Sequence, residues 1–421
     1  MLESHLPVGN VYWHPEGSAQ FEGVTPDAAA GLVGRFAAVQ QDGGRVTAIR
    51  DRLGLNKLYV GFHADRGVIA ANYLRDLVAE GIAFTDTYAI PAGSIVTLDP
   101  DRRAGTVRRF ATLPARAGST RSVCSLAGKV GELIDQGMSH LKAAHPGTPV
   151  AVCLSGGADS SVIAAYTRQH FPHAVAYSYS FGDDRLSQDA AAAQRVAAHL
   201  GMPLQLVRAV RQDLLDTLPS AVLNGQDWRD FNVHAAIVNE LLAAAIANDH
   251  PHGALVFTGD LMNEFLADYT PVTYADTLYY RLPNLPPDRL RIHLTRGIQT
   301  GDREVGVFAA HGLTVVQPYS WATTELLALP EPVSKPRFMA HLARRKLPSG
   351  TLGRPKVRAQ IGDLHADTGV LPQLLQAGIT QDHLQDRFQD ALSIAAPADL
   401  HRTVRGGIHQ PLPHTPTEGT S

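Results

Sequence analysis

Two patterns of apolar and polar residues divide the chain. Up to residue 112 the apolar positions come in short runs, at 9–13, 35–40, 46–50, 58–62, 67–71 and 94–98, separated by Gly, Asp and Pro. Such runs between turn residues predict strands, and their succession predicts a largely antiparallel, layered β domain. From residue 123 the period lengthens. A helical spacing at 123–144 leads to an apolar run at 149–154, a helix at 160–170, a run at 173–181, a helix at 187–200 and runs at 203–207 and 254–258. Strands alternating with helices predict an α/β fold with a doubly wound parallel sheet, whose ligands bind at the carboxyl ends of its strands. The Pro/Ala/Gly/Arg-rich stretch 113–122 reads as a linker, 123–396 as the second domain with a helical C-terminal part, and 397–421 as a disordered tail.

One junction carries chemistry. The run at 150–154 ends in Ser155-Gly156-Gly157-Ala158-Asp159-Ser160-Ser161, after which helical spacing resumes. A lone Ser-Gly-Gly reads as an ordinary turn, but seven fitting residues between a strand and a helix favour a phosphate site. The glycines let the backbone approach an anion, the unpaired amides of the helix start donate to it, and the hydroxyls of Ser155, Ser160 and Ser161 add donors. Asp159 is placed to hold Mg²⁺ on the same phosphates. No Gly-Lys-Ser/Thr follows at the spacing of the other common phosphate loop.

With 421 residues, 44% hydrophobic and 18% charged, the chain can bury two cores. A net charge of −3 gives no basic excess for nucleic acid, and the 19 histidines are scattered, not paired at ligand spacing. No apolar run is long enough to span a membrane and no N-terminal signal region is evident, so a cytoplasmic protein is expected. Cys124 and Cys153 make no disulfide framework, and Cys153 is expected as a small hydrophobe inside a strand.

The string SGGADSS resembles the SGGxDS loop of ATP pyrophosphatases, which cleave ATP between its α and β phosphates. GRFAAVQQDGGRVTAIRDRLGLNKLYV at 34–60 and AIPAGSIVTLD at 89–99 resemble the glutamine-amidotransferase (Ntn-type) domain of asparagine synthetases. That domain uses a cysteine directly after the initiator methionine. Here Met1 is followed by Leu2, so the resemblance implies an N-terminal domain without glutaminase chemistry. SFGDDRLSQDAAAAQRVAAHLGMP at 180–203 and FTGDLMNEFLADY at 257–269 resemble the asparagine synthetase and β-lactam synthetase group, the second as its SGxGxDExxGGY loop. GLTVVQPYSWATTELLALP at 312–330 and RFMAHLARRKLPSGTLGRPKVRAQIGD at 337–363 resemble its helical end, closest to β-lactam and carbapenam synthetases.

The resemblance implies ATP and Mg²⁺ as cofactors. It implies nucleotide contacts from Leu154, Ser155, Gly156, Gly157, Asp159, Ser160, Ser161, Ser180 and Gly259, and a metal set of Asp159, Asn263 and Glu264, in which Asn263 replaces an aspartate. Either Asp260 or Glu264 is then expected to take over metal binding, with a helix cap as the alternative for Glu264. Lys356 of Arg354-Pro355-Lys356 matches a lysine that contacts the α-phosphate and the developing charge of acyl transfer. Asp302 falls where β-lactam synthetases hold a glutamate that pairs with a tyrosine at the position of Asp260; Glu304 has a nearly equal claim. Asp227, Arg229 and His234 lie where the group often places substrate contacts.

The expected activity is an AMP-forming amide ligase that adenylates a carboxylate and passes the acyl group to an amine, within one substrate as in β-lactam synthetases. The expected partner is a small amino-acid-derived or peptide substrate, not nucleic acid or membrane, with homodimerisation left open. An intermolecular amide ligase, a macrolactam-forming cyclase and an inactive nucleotide-binding protein are the alternatives.

Overall fold

A computed structural model describes residues 1–14, 25, 29–113, 122–182, 185–295, 301–329, 334–343, 346–354, 357–363, 367–400 and 412–413, without the side chains of 288, 301, 302, 397 and 398. The short N-terminal runs become β1 (Leu2–His5), β2 (Val11–Trp13), β3 (Val33–Arg35), β4 (Ala37–Asp42), β5 (Arg45–Arg50), β6 (Tyr59–His63), β7 (Gly67–Ala71), β8 (Thr87–Ala89), β9 (Ser94–Asp99) and β10 (Ala104–Arg109). They form sheets of order β1-β7-β6-β8 and β10-β9-β5-β4 and a β2-β3 ladder. Pairing is antiparallel except for β1 beside β7, which is parallel.

Period-2 alternation decides what each face covers. Val60, Phe62, Val68 and Ala70 of one sheet pack with Val46, Ala48, Val96 and Leu98 of the other. Tyr59, Ile69 and Ala71 point the opposite way and join the main core built by the second half of the chain. The first region therefore shares a core with the second. Leu412, 2% exposed, completes the inter-sheet cluster, and Pro413 O accepts from Gly105 N at 2.9 Å. Leu400 is likewise buried. These residues of the expected free tail are packed; most of its remainder lies outside the described residues.

The second half holds β11 (Val150–Cys153), β12 (Val175–Phe181), β13 (Leu204–Ala209), β14 (Leu255–Phe257), the hairpin β15 (Val272–Tyr274) and β16 (Thr277–Tyr279), and β17 (Thr314–Val316). The long sheet has the order β13-β12-β11-β14-β17, with every pair parallel. Residues 314–316 were expected at the helical end of the chain. Three β-branched residues in a row instead form an edge strand. Helices Val123–Ala144, Ala158–His170 and Gln188–Leu200 follow the predicted periods, two of them with serine N-caps: Ser122 accepts from Ser125 N and Ser187 from Ala190 N. The chain runs from β11 outward through β12 and β13, then crosses back to β14. The strand order thus reverses beside β11, which opens a crevice at its carboxyl end.

Candidate nucleotide site

Residues 155–161 occupy that crevice. Gly156 has φ +70°, and a Cβ there would lie 2.4 Å from Ala193 N, so the turn tolerates only glycine. Gly157 then starts helix Ala158–His170 without a side-chain cap, leaving the helix amino end open. Ser155 and Ser160 face one another, with Oγ to Oγ at 3.0 Å, and Ser160 Oγ also accepts from Ser155 N at 3.2 Å. Gly259, just after β14, packs on this start so tightly that a Cβ would meet Ser160 N at 2.5 Å. The two loops that the sequence reading assigned to one site are in contact.

Asp159 and Asn263 do come together, on a lysine that the sequence reading missed. Lys335 Nζ donates to Asp159 Oδ2 at 2.8 Å, Asn263 Oδ1 at 2.5 Å and Asp268 Oδ2 at 3.0 Å. Burial disfavours the ammonium, but Asp159 and Asp268 outweigh it and hold its pKa above the ordinary lysine value. Glu264 does not join them. Its Oε1 accepts from Tyr269 OH at 2.6 Å, while its Oε2 is buried without a partner among the described residues. The expected trio of metal ligands is thus divided between two hydrogen-bonded groups, and Asp159 and Glu264 each keep one carboxylate oxygen unpaired among the described residues. The Oδ1 of Asp159 is buried and unpartnered among the described residues, which fits a carboxylate oxygen reserved for Mg²⁺ or a Mg²⁺-bound water.

Asp260 lies elsewhere again. Its Oδ2 accepts from Arg303 Nη2 at 3.2 Å, and Arg303 continues to Asn232 Oδ1 at 3.3 Å and Asn239 Oδ1 at 3.1 Å. An arginine therefore faces Asp260 where the resemblance implied an acidic partner. Glu304, 3% exposed, accepts from Thr258 Oγ1 and Gln317 Nε2, both at 2.6 Å. Burial pushes its carboxyl up, against those donors and the Arg303 charge. Glu304 thus supports the loop after β14 without pairing with a tyrosine. The side chain of Asp302 lies outside the described residues.

Beside the loop opens a cleft of about 130 Å³ at the ends of β11 and β12, walled by Leu154, Ser155, Tyr179 and Asp189 and roofed by Val357 and Arg358. Cys153 ends β11, packs partly buried against the main core and borders the cleft; burial raises its thiol pKa. Ser180 Oγ accepts from Ser187 N at 3.0 Å, so this expected nucleotide contact braces the loop after β12. Arg354 Nη2 donates to Asp189 Oδ1 at 2.6 Å. Pro355 and Lys356 lie outside the described residues; of the residues on either side of them, Val357 lines the cleft and Arg354 is tied to its wall through Asp189.

Residues 138–310 match the family model of asparagine synthase. The asparagine-synthase-type region thus holds all of the long sheet but β17, the loop at 155–161 and the loop after β14, and it supports an ATP-using ligase-type enzyme. The match covers less than half of the chain, and residues 335–363 lie beyond it. Among solved structures, the chain is similar to NMN synthetase from Francisella tularensis, at 13% identity over 65% of this chain and 94% of that one, with a TM-score of 0.30. It is also similar to the glutamine-dependent NAD+ synthetase from Acinetobacter baumannii in complex with ADP, at 11% identity over 78% and 56%, TM-score 0.31. A third is the NH3-dependent NAD synthetase from Campylobacter jejuni, at 18% identity over 36% and 62%, TM-score 0.25. At these TM-scores none of the three bears on the reading of the site.

Lys335 had a signal in the sequence. It opens helix Lys335–Ala343, and a cation at a helix amino end opposes the macrodipole, so an outside anion must hold it there. Of the expected substrate contacts, Asp227 is buried and bound by Arg229 and Asn232, and Arg229 is committed to that pair. His234 is buried with Nδ1 2.9 Å from Tyr280 OH, and desolvation lowers its pKa from 6.5 to about 3, so the ring is neutral.

Proposed function

We propose that the protein is an ATP-dependent, AMP-forming carbon–nitrogen ligase that adenylates a substrate carboxylate and transfers the acyl group to an amine. The observation that carries this reading is the uncapped helix start at residues 157–159, with one Asp159 oxygen unpartnered among the described residues, beside a cleft and facing a half-buried lysine. Loop amides and Lys335 offset the charge of the β and γ phosphates as a carboxylate oxygen attacks the α-phosphorus and pyrophosphate leaves. Asp159 would hold Mg²⁺, which neutralises phosphate charge when bound. The amine then attacks the acyl carbon and AMP leaves. Lys356 offsets the oxyanion, and Asp260, with 21% of its side chain exposed, accepts the proton under the orienting contact of Arg303. The resemblance to β-lactam synthetases at the C-terminal third supports closure within one amino-acid-derived substrate, in a specialised biosynthetic pathway.

Incubation with Mg·ATP and a panel of amino-acid-derived carboxylates tests the reading. Equal amounts of AMP and pyrophosphate are expected with the right acid, and release of ADP would overturn it. With that acid, Lys356→Ala is expected to lower kcat by about a hundredfold with ATP affinity changed only a few fold, whereas a surface lysine would leave both unchanged.

A further inference from the structure

The N-terminal domain reaches into the ligase half through buried polar side chains. Lys57, 7% exposed, donates Nζ to Gly225 O at 2.8 Å. Gly225 ends helix Arg211–Gly225, so the ammonium meets the negative end of a helix on the other domain. The next residue, Gln226, is 2% exposed and sits in the left-handed region at φ +56°, a conformation that a non-glycine residue holds only when its surroundings fix it. Those surroundings are again N-terminal: Gln226 Nε2 donates to Asn72 O at 3.0 Å, and its Oε1 accepts from Leu74 N at 2.9 Å. Asn72 closes the circuit by donating Nδ2 to Lys57 O at 2.6 Å. Tyr73 OH also donates to Gly306 O at 2.6 Å, on the helix that carries Arg303 and Glu304.

From this turn the contacts run on without a break. Asp227 follows Gln226 and accepts from Asn232; Asn232 accepts from Arg303; Arg303 donates to Asp260 in the loop after β14. We infer that Lys57 and Gln226 are positioning residues, through which the N-terminal domain sets the place of Asp260 across the Asp227–Asn232–Arg303 chain. Assigning Asp260 a part in acyl transfer rests on the proposed ligase reading; the mechanical link does not. On this view the domain works as a brace on the acceptor side of the site.

Lys57→Met in the full-length protein removes the ammonium and keeps most of the stem, and Lys57→Arg restores a donor. Hydrogen exchange read at residues 224–232 and 258–264 tests the link. The expected result is about tenfold faster exchange in both segments for Lys57→Met, recovery toward wild type in Lys57→Arg, and unchanged protection in β11 and β12. Faster exchange confined to 224–232, with 258–264 at the wild-type rate, would overturn the inference and leave Lys57 as a helix cap. Should Lys57→Met not fold, Gln226→Leu, which removes the partners of Asn72 and Leu74, is read against the same two segments. A parallel Mg·ATP titration of the wild type separates the two readings: no binding there refutes the ligase assignment, while the exchange data still decide the brace.

Discussion

Two turns of this protein are rich in charge and glycine, and they treat their polar groups in opposite ways. In the turn at 50–56 the buried charged groups are saturated by hydrogen bonds within the N-terminal region. Asp51 accepts from the amides of Phe36, Leu53, Gly54, Leu55 and Asn56, and Arg50 donates to the carbonyls of Gly54, Asn56 and Ile90. In the turn at 155–161, Asp159 keeps one buried oxygen without a partner among the described residues and spends the other on a lysine from a distant helix. Both turns place a glycine at their left-handed position, Gly54 at φ +74° and Gly156 at φ +70°, but the loop packed on the second adds Leu261 at φ +80° and Ala267 at φ +49°. A saturated turn is architecture; an unsaturated one beside a strained loop, at the carboxyl edge of a parallel sheet, is the place the proposed nucleotide would complete.

The sharpest way to break this comparison is to remove each aspartate. Asp51→Ala strands four amides in a fully buried site, Gly54 N keeping the residue-51 carbonyl, and is expected to cost about 3–5 kcal/mol in denaturant unfolding. Asp159→Ala is expected to change stability by less than about 1 kcal/mol and to weaken Mg·ATP binding by about a hundredfold. Equal destabilisation by the two would show that both turns are structural.

His234 sharpens the comparison through pH. Its ring is held neutral in the fold, with the pKa lowered by burial from 6.5 to about 3, while the unfolded chain takes up a proton below 6.5. The unfolded state thus binds more protons in that window, and stability falls as pH falls through it, by roughly 2 kcal/mol between about pH 7 and about pH 5. Denaturant midpoints across this range are expected to show that slope in the wild type and to lose it in His234→Gln. An unchanged slope in the variant would assign the acid sensitivity to other groups.

The smallest effect concerns strain. Ala267→Gly is expected to raise unfolding free energy by up to about 1 kcal/mol, because the left-handed backbone penalises any Cβ. A loss of stability would mean that the Ala267 methyl contributes more than its conformation costs.

Much of this was legible along the chain. The helix at 123–144 and the loop at 155–161 stand where the pattern put them, because a helical or strand period follows from sterics within a few residues, and because the loop's glycines, hydroxyls and aspartate are contiguous. The strand at 314–316 was hidden because three residues leave no measurable period. The partners were hidden for a different reason. Lys335 meets Asp159 across 176 residues, and Arg303 meets Asp260 across 43. A lysine at a helix start is a hint that an anion must come to it, but not of which one.

The sequence by itself determined the two hydrophobic periods, hence a β-rich region ahead of a parallel α/β sheet, and the glycine turn that an anion can approach. Tertiary structure alone decided how the acidic residues divide: Asp159 to Lys335, Asp260 to Arg303, Glu264 to Tyr269, and Glu304 to Thr258 and Gln317. The physical reason is range. Backbone sterics act between neighbours in the chain, whereas the charge state and hydrogen bonds of a buried carboxylate depend on whichever segment packing brings within about 3 Å of it.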